Sequence, residues 1–144
     1  MKVNKIDHIC IAVKDLEKAR AQWEPVLGKT APDDPYVDEP SKIRVARYWL
    51  GDVGFELMAD LTGDGDVAKF IANRGEGVML IGFNVDNTRE CVAELKDKGY
   101  PIIPDPQYGE FRPFRDCEYS FVHPKAVNGV LLELIDYRWE ELQD

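Results

Sequence analysis

The feature that most constrains the fold is an internal repeat, because a duplicated unit determines the order of elements in both halves. Residues 7–16 read DHICIAVKDL, an apolar strand followed by a charged turn and the start of a helix. Residues 79–88 read MLIGFNVDNT, and a second helical segment follows them. Aligning the two segments places His8 opposite Leu80, an offset of 72 (80 − 8). Each half is therefore expected to begin with a strand and a helix.

A second pair of similar segments lies at the end of each half. Residues 51–57 read GDVGFEL and resemble NGVLLEL at 128–134. This alignment places Glu56 opposite Glu133, an offset of 77 (133 − 56). Because two independent strand pairs have similar offsets, the sequence indicates two copies of one unit with a small insertion in the second.

Hydrophobic periodicity predicts a strand, a helix and then several strands in each half. The first helix has apolar residues at spacings of three and four, Asp15 as its N-cap and Gly28 as its C-terminal stop. The proline-containing stretches at 30–42 and 100–116 are expected to be loops, the first with at most a short edge strand. The predicted strands are 6–13, 43–50, 54–59, 78–85, 117–123 and 129–136, and the predicted helices are 15–27, 66–73 and 87–98. The fold class is α+β.

Composition excludes several classes of protein. The chain has 144 residues, the size of one domain, with 18 Lys and Arg against 27 Asp and Glu, a net charge of −9. Such an acidic chain is not expected to bind nucleic acid or an anionic membrane. The three cysteines have no CxxC spacing, and the N-terminal segment shows no signal peptide, so a reducing cytoplasm is expected. No apolar run is long enough to span a bilayer.

Three polar residues stand out on the predicted strands. His8 shares a strand face with Cys10 and lies opposite the larger apolar side chains, so its face has room for a ligand. Glu133 has apolar neighbours, where a buried carboxylate is costly unless it is paired or bound to a metal, and Glu56 has the matching context. A hydrogen-bonded structural histidine and two solvated glutamates are the alternative interpretation. One histidine and two carboxylates would suit a divalent cation.

Several segments resemble a known superfamily. The opening IDHICIAVKDLEKA resembles the first strand and helix of the vicinal oxygen chelate (glyoxalase/bleomycin-resistance-like) superfamily. Within it, KFIANRGEGVMLIGFNVDN and FVHPKAVNGVLLELID are most similar to the methylmalonyl-CoA epimerase branch. The resemblance implies a single domain of two βαβββ modules, about 5–60 and 78–137, joined by a linker helix at about 61–77. The modules are expected to form an incomplete barrel around a metal-bearing cleft.

The resemblance implies a metal site with one ligand from each of four strands. The matching positions are His8, Glu56, Glu133 and Leu80, and the last has leucine where the family has histidine. Three ligands would then hold the cation, which is expected to be cobalt, zinc, nickel or manganese. Because leucine cannot ligate, the cation is expected to bind weakly or to be absent.

The resemblance also implies proton transfer at the carbon next to a carbonyl group, with acid/base groups on both faces of the substrate. Glu133 and His123 are the candidate catalytic residues. For His123, a structural role as a hydrogen-bonded histidine before Pro124 is an equal alternative. The family's other catalytic glutamate aligns near Pro40, with Glu39 beside it. The sequence therefore does not identify which residue would serve as this second base.

Basic and aromatic residues are the candidates for substrate binding. A guanidinium or ammonium group could anchor a carboxylate or a CoA phosphate, although a solvated surface charge is the alternative for each. The aromatic residues of segment 107–119 could form a lid over a substrate or an apolar dimer seam. The candidates are Arg44, Arg47, Arg115, Tyr119 and Lys125.

Two functions from different classes follow. The first is a metal-assisted isomerase or lyase acting on a small carboxylic acid or an acyl-CoA, expected by resemblance to be a homodimer. The second is a metal-free protein that binds a small molecule on the same scaffold, as the bleomycin-resistance-like relatives do. Leu80 favours the second, whereas the two glutamates on apolar strands favour the first.

Overall fold

The structure is a computed structural model, and it describes residues 1–137. Its backbone forms two compact units, which are described separately. One unit is His8–Met79, and the other comprises Met1–Asp7 and the residues from Leu80 on. The C-terminal segment YRWEELQD is predicted from its sequence to form at most one helical turn, and apart from Tyr137 its residues lie outside the described part. Within residues 1–137, no helix is both long and apolar enough to cross a membrane.

The His8–Met79 unit has strand order β2-β3-β4-β1. Strand β1 pairs with β4 in parallel, and the other neighbours are antiparallel. The predicted short edge strand in the first proline-containing stretch is confirmed as β2. The elements are β1 (Val3–Ala12), whose first residues belong to the other unit, α1 (Leu16–Leu27), β2 (Asp34–Asp38), β3 (Ile43–Leu50), β4 (Val53–Asp60) and α2 (Asp66–Arg74).

The unit that continues from Leu80 has strand order β5-β9-β8-β6, and β7 also pairs with β8. Strand β5 pairs with β9 in parallel, as β1 does with β4. The elements are β5 (Gly77–Val85), which begins in the other unit, α3 (Thr88–Asp97), β6 (Ile102–Ile103), β7 (Arg112–Phe114), β8 (Cys117–Val122), a 3-10 turn (Pro124–Ala126) and β9 (Leu131–Asp136). Both halves follow the βαβββ order, with β7 as an additional short strand, so the predicted α+β fold is confirmed.

The prediction of an unbroken loop at 100–116 is wrong. Strands β6 and β7, of two and three residues, both hydrogen-bond to β8. Prolines interrupt the segment, so only these short stretches can pair. The sequence pattern is too short there to reveal a strand.

Local signals determine where helix α1 begins and ends. The carboxylate of Asp15 accepts a hydrogen bond from the Lys18 backbone N–H at 3.1 Å, as an N-cap should. Gly28 ends the helix with φ of 70°, a left-handed conformation that glycine adopts without strain. The predicted cap and stop are confirmed.

Each unit has its own apolar core beneath its helix. In the His8–Met79 unit, Ile11 and Val13 lie in a cluster with Leu16 of α1 and with Tyr48 and Leu57, which are wholly buried. The larger residues of β1 therefore face the helix, as predicted. The second core forms around Val85, Cys91, Val92 and Leu134.

The strand registers reproduce the internal repeat. Strands β1 and β4 pair His8 with Gly54, and strands β5 and β9 pair Leu80 with Leu131. The offsets of 72 (80 − 8) and 77 (131 − 54) are those expected from the sequence. Two residues further on, Cys10 pairs with Glu56 and Gly82 pairs with Glu133. The two copies therefore present equivalent positions, but with different side chains.

Candidate metal centre

Three side chains with metal-binding atoms lie on one face of the β1–β4 pair. His8 and Cys10 are two residues apart on β1, so both project from the same face, and Glu56 is the β4 partner of Cys10. The opposite face is packed under helix α1, so the polar side chains cannot turn toward that core. All three are buried, with exposed fractions of 8%, 2% and 2%.

The donor atoms of these residues are close to one another. One nitrogen of His8, the Sγ of Cys10 and a carboxylate oxygen of Glu56 all lie within 4.8 Å of one another. The Cys10 thiol donates a hydrogen bond to Oε2 of Glu56 at 3.7 Å. Nitrogen, sulfur and oxygen donors together suit a borderline divalent cation such as zinc or cobalt. The residues present therefore fit the metal that the sequence implies.

The other carboxylate oxygen of Glu56 has different partners. The Tyr36 hydroxyl donates to Oε1 at 2.7 Å, and the Arg47 guanidinium lies 3.5 Å from the same oxygen. Arg47 also donates to the Tyr36 hydroxyl oxygen at 3.1 Å. Glu56 thus directs Oε1 to Tyr36 and Arg47 and Oε2 to Cys10, a division that fixes the orientation of its carboxylate.

A second carboxylate balances the charge of Arg47. Asp34, on edge strand β2, accepts from Arg47 at 3.1 Å. Burial alone would lower the pKa of Arg47, but Glu56 and its other acceptors outweigh burial and raise it above its ordinary value. Burial and the charge of Glu56 raise the pKa of Tyr36 above its ordinary value. Tyr36 is therefore a protonated phenol that donates to Glu56.

Glu133 occupies the position of the second repeat that is equivalent to Glu56. It is 6% exposed and lies between Gly82 on β5 and Phe121 on β8. The structure brings His8 and Glu56 together with Cys10, whereas Glu133 belongs to the other unit. Its roles as a metal ligand and catalytic group stay predictions.

His123 follows strand β8, and its side chain has a structural partner. Its Nδ1 accepts a hydrogen bond from the Lys125 backbone N–H at 3.1 Å, which caps the 3-10 turn at Pro124. The imidazole is exposed. His123 therefore has a structural role, because its Nδ1 caps the 3-10 turn. Its catalytic role stays a prediction.

The substrate-binding candidates differ in their surroundings. Arg47 contacts the carboxylates of Glu56 and Asp34, so it is not the solvated surface charge of the alternative interpretation. Arg44 is exposed and lines a cavity of about 250 Å³ beside helix α1.

The remaining candidates belong to the second repeat. Arg115 is exposed at a turn and lies 5.2 Å from the Phe114 ring centroid. Tyr119 is half-buried against Phe121, and Lys125 is exposed. The contribution of all these residues to substrate binding stays a prediction.

Sequence reasoning missed Cys10 as a metal-binding candidate and Tyr36 as a partner of Glu56. A signal for Cys10 was present, because a residue two positions from His8 on a strand must share its face. No signal identified Tyr36, which lies 20 residues before Glu56 and reaches it only through the pairing of β2 with β3 and of β3 with β4.

Two βαβββ repeats with a histidine and a carboxylate on neighbouring parallel strands define a glyoxalase-like protein. The family sequence model of the Glyoxalase/Bleomycin resistance protein/Dioxygenase superfamily matches residues 7–121 of this chain. The chain therefore belongs to this superfamily, as its sequence motifs predicted.

Similar proteins include methylmalonyl-CoA epimerases. The mitochondrial methylmalonyl-CoA epimerase of Bos taurus is 31% identical over 135 residues, covering 92% of this chain and 74% of the epimerase. The uncharacterized protein YqjC of Bacillus subtilis (strain 168) is 32% identical over 140 residues, covering 96% of each chain. A solved structure of methylmalonyl-CoA epimerase in complex with methylmalonyl-CoA and NH4+ has a TM-score of 0.82 at 29% identity, covering 94% of this chain and 95% of that chain.

Proposed function

We propose that this protein is a methylmalonyl-CoA epimerase-like isomerase. It would transfer a proton at the carbon next to the carbonyl of an acyl-CoA or a related small carboxylic acid. The observation that carries the proposal is that the buried side chains of His8 and Glu56 bring metal-binding atoms within 4.8 Å of each other, in a chain 31% identical to a methylmalonyl-CoA epimerase. A buried histidine and a buried carboxylate are costly unless they are hydrogen-bonded, paired or bound to a metal.

Metal binding is the first part of the proposed mechanism. His8 and Glu56 would hold a divalent cation together with Glu133, and the donor types suit cobalt, zinc, nickel or manganese. A cation held there would supply positive charge to stabilise the negative charge that develops on the carbonyl oxygen during proton removal. Tyr36 and Arg47 keep the Glu56 carboxylate in one orientation.

Proton transfer is the second part. The carboxylate of Glu133 would accept the proton from the carbon, and the His123 imidazole would return a proton to the opposite face, so that the net change is inversion at carbon. Glu133 is 6% exposed, so little water can compete for its carboxylate. His123 takes this role in the proposal because Pro40 stands where the family's other glutamate would align.

Substrate binding is the third part. Exposed cations would meet the carboxylate and the phosphates of an acyl-CoA, which need positive charge on an otherwise acidic protein. The proposed contacts are the exposed cations Arg44, Arg115 and Lys125, together with Tyr119 and the mostly buried Arg47. A homodimer in the cytoplasm is part of the same proposal.

Deuterium exchange tests the proposal directly. The protein is incubated in D2O with methylmalonyl-CoA and each of the four cations in turn, and deuterium in the acyl group is followed by mass spectrometry. Wild-type protein should exchange the proton faster than buffer with the cation alone. Glu133→Gln should slow the exchange by about 100-fold or more, the usual contribution of a general acid/base group.

The matched control is Glu90→Gln, which changes an exposed glutamate on helix α3. Its exchange rate should equal that of the wild type. Wild-type exchange no faster than the buffer blank with every cation would refute the proposal. Equal rates for Glu133→Gln and Glu90→Gln would remove Glu133 from the mechanism.

A metal-free binding protein is the second candidate function. Leu80, only 5% exposed, occupies the repeat position equivalent to His8, and it cannot bind a metal. A binder would take up an acyl-CoA saturably without exchanging its proton. Its affinity should also be unchanged by a chelator and by Glu133→Gln.

A further inference from the structure

We propose, resting on the metal site of the proposed function, that Cys10 is a thiolate ligand of that metal. The first repeat alone would then supply three ligands, His8, Cys10 and Glu56. The three residues lie within one unit, so the site does not depend on a donor from the second repeat.

The separation of the two strongest donors is suitable for a metal. Typical zinc bonds of about 2.3 Å to sulfur and about 2.1 Å to oxygen, at a tetrahedral angle, set these atoms about 3.6 Å apart. Sγ of Cys10 lies 3.7 Å from Oε2 of Glu56. A cation could thus replace the thiol proton between the two atoms with little movement, and the proton would pass to solvent.

The surrounding charges favour a cation on this side of the carboxylate. The Tyr36 hydroxyl and the Arg47 guanidinium both contact Oε1 of Glu56. The other oxygen, Oε2, faces Cys10 and is the one that would bind the cation. Asp34 balances the charge of Arg47. Taken together, Arg47, Asp34, Glu56 and a Cys10 thiolate carry a net charge of −2, which balances a divalent cation.

The comparison between repeats supports a specific role for Cys10. Its equivalent in the second repeat is Gly82, and the equivalent of His8 is Leu80. Both changes remove donors from the second repeat, while the first repeat holds three. The first repeat therefore has a sulfur donor at the position where the second repeat has glycine.

Cobalt titration tests the proposal, because cobalt bound to a thiolate has a sulfur-to-metal charge-transfer band in the near ultraviolet. Co²⁺ is added to full-length protein, and absorbance and binding stoichiometry are recorded together. Wild-type protein should bind one equivalent and develop this band. Cys10→Ser should lack the band, and its Kd for Co²⁺ should rise at least about tenfold, the lower end of effects around metal sites.

Cys91→Ser is the matched control, because Cys91 is also buried but belongs to the core under α3. It should retain both the band and the affinity. Should Cys10→Ser fail to fold, ¹¹³Cd NMR of the wild type reports sulfur ligation by a strong downfield shift, with no substitution required. Stoichiometric Co²⁺ binding without the band, or a band that persists in Cys10→Ser, would overturn the proposal, as would no binding at all.

The result is separable from the proposed activity. A charge-transfer band in a protein that does not exchange the acyl proton would uphold the Cys10 ligand and refute the isomerase. Metal-dependent exchange without the band would do the opposite.

Discussion

Replacement of Arg47 by methionine should destabilise the His8–Met79 unit strongly. Glu56 is 2% exposed and has Arg47 as its cationic partner at 3.5 Å, and the Arg47 side chain is itself 16% exposed. Removing one member of a buried ion pair typically costs about 3–5 kcal/mol, since the other charge stays buried. The Tyr36 hydroxyl still donates to Glu56 in the variant, so the lower value, about 3 kcal/mol, is expected at pH 7.

Urea denaturation measures this effect. Two of the three tryptophans, Trp23 and Trp49, lie in the His8–Met79 unit, so most of the tryptophan fluorescence reports its unfolding. With an m-value of about 1–3 kcal/mol/M, the midpoint of Arg47→Met should fall by about 1–3 M. Arg44→Met on the same strand is the control, because Arg44 is exposed and its loss should change the free energy of unfolding by less than about 0.5 kcal/mol.

A double-mutant cycle with Glu56→Gln isolates the ion pair. Once the buried charge is removed, Arg47→Met should cost less than about 1 kcal/mol, which gives a coupling energy of about 2 kcal/mol. The amide oxygen of the substituted side chain can still accept from the Tyr36 hydroxyl. An equal cost of Arg47→Met in both backgrounds, or a cost no larger than that of Arg44→Met, would refute the reasoning.

Two further predictions concern the core of each unit. The Tyr48 hydroxyl donates to Glu24 at 2.6 Å and thereby helps to hold the pKa of that carboxyl below its usual 4.5. This stabilisation is present above pH 4.5 and is lost as pH falls through the lowered pKa of Glu24 in the folded protein. The difference in free energy of unfolding between wild type and Tyr48→Phe should therefore shrink on acidification. A difference that stays constant down to about pH 3 would contradict this. Leu134 is wholly buried against Val85 and Val92, so Leu134→Ala should cost about 2–5 kcal/mol in urea denaturation, and a cost below about 1 kcal/mol would contradict the packing.

Much of the fold was predictable because it depends on local patterns. The repeat offsets anticipated that the two copies are built alike, and the pairing of His8 with Gly54 recurs as that of Leu80 with Leu131. Helix α1 was predicted with its cap and stop because those signals act within one turn. The short strands β6 and β7 were missed because two or three residues carry no periodicity, and only pairing with β8 forms them.

The candidate site was only partly predictable. His8 and Glu56 were identified from their unusual contexts and from the family resemblance, and the structure brings them together. Arg47 was predicted to bind substrate, and that role stays a prediction. A guanidinium in a sequence shows its charge but not its partners within the protein. The pairing of β3 with β4 sets Arg47 beside Glu56, and this contact gives it a role within the protein.

The sequence by itself determined the duplicated architecture, the strand faces and the loss of a donor at Leu80, because these follow from residue identity and period. Only the tertiary structure decided which donors meet. Cys10, Tyr36 and Glu56 are far apart in the chain, and their contacts exist only because β1 and β3 both pair with β4 while β2 pairs with β3. Hydrogen-bonded strand registers act over tens of residues, and no local pattern carries that information.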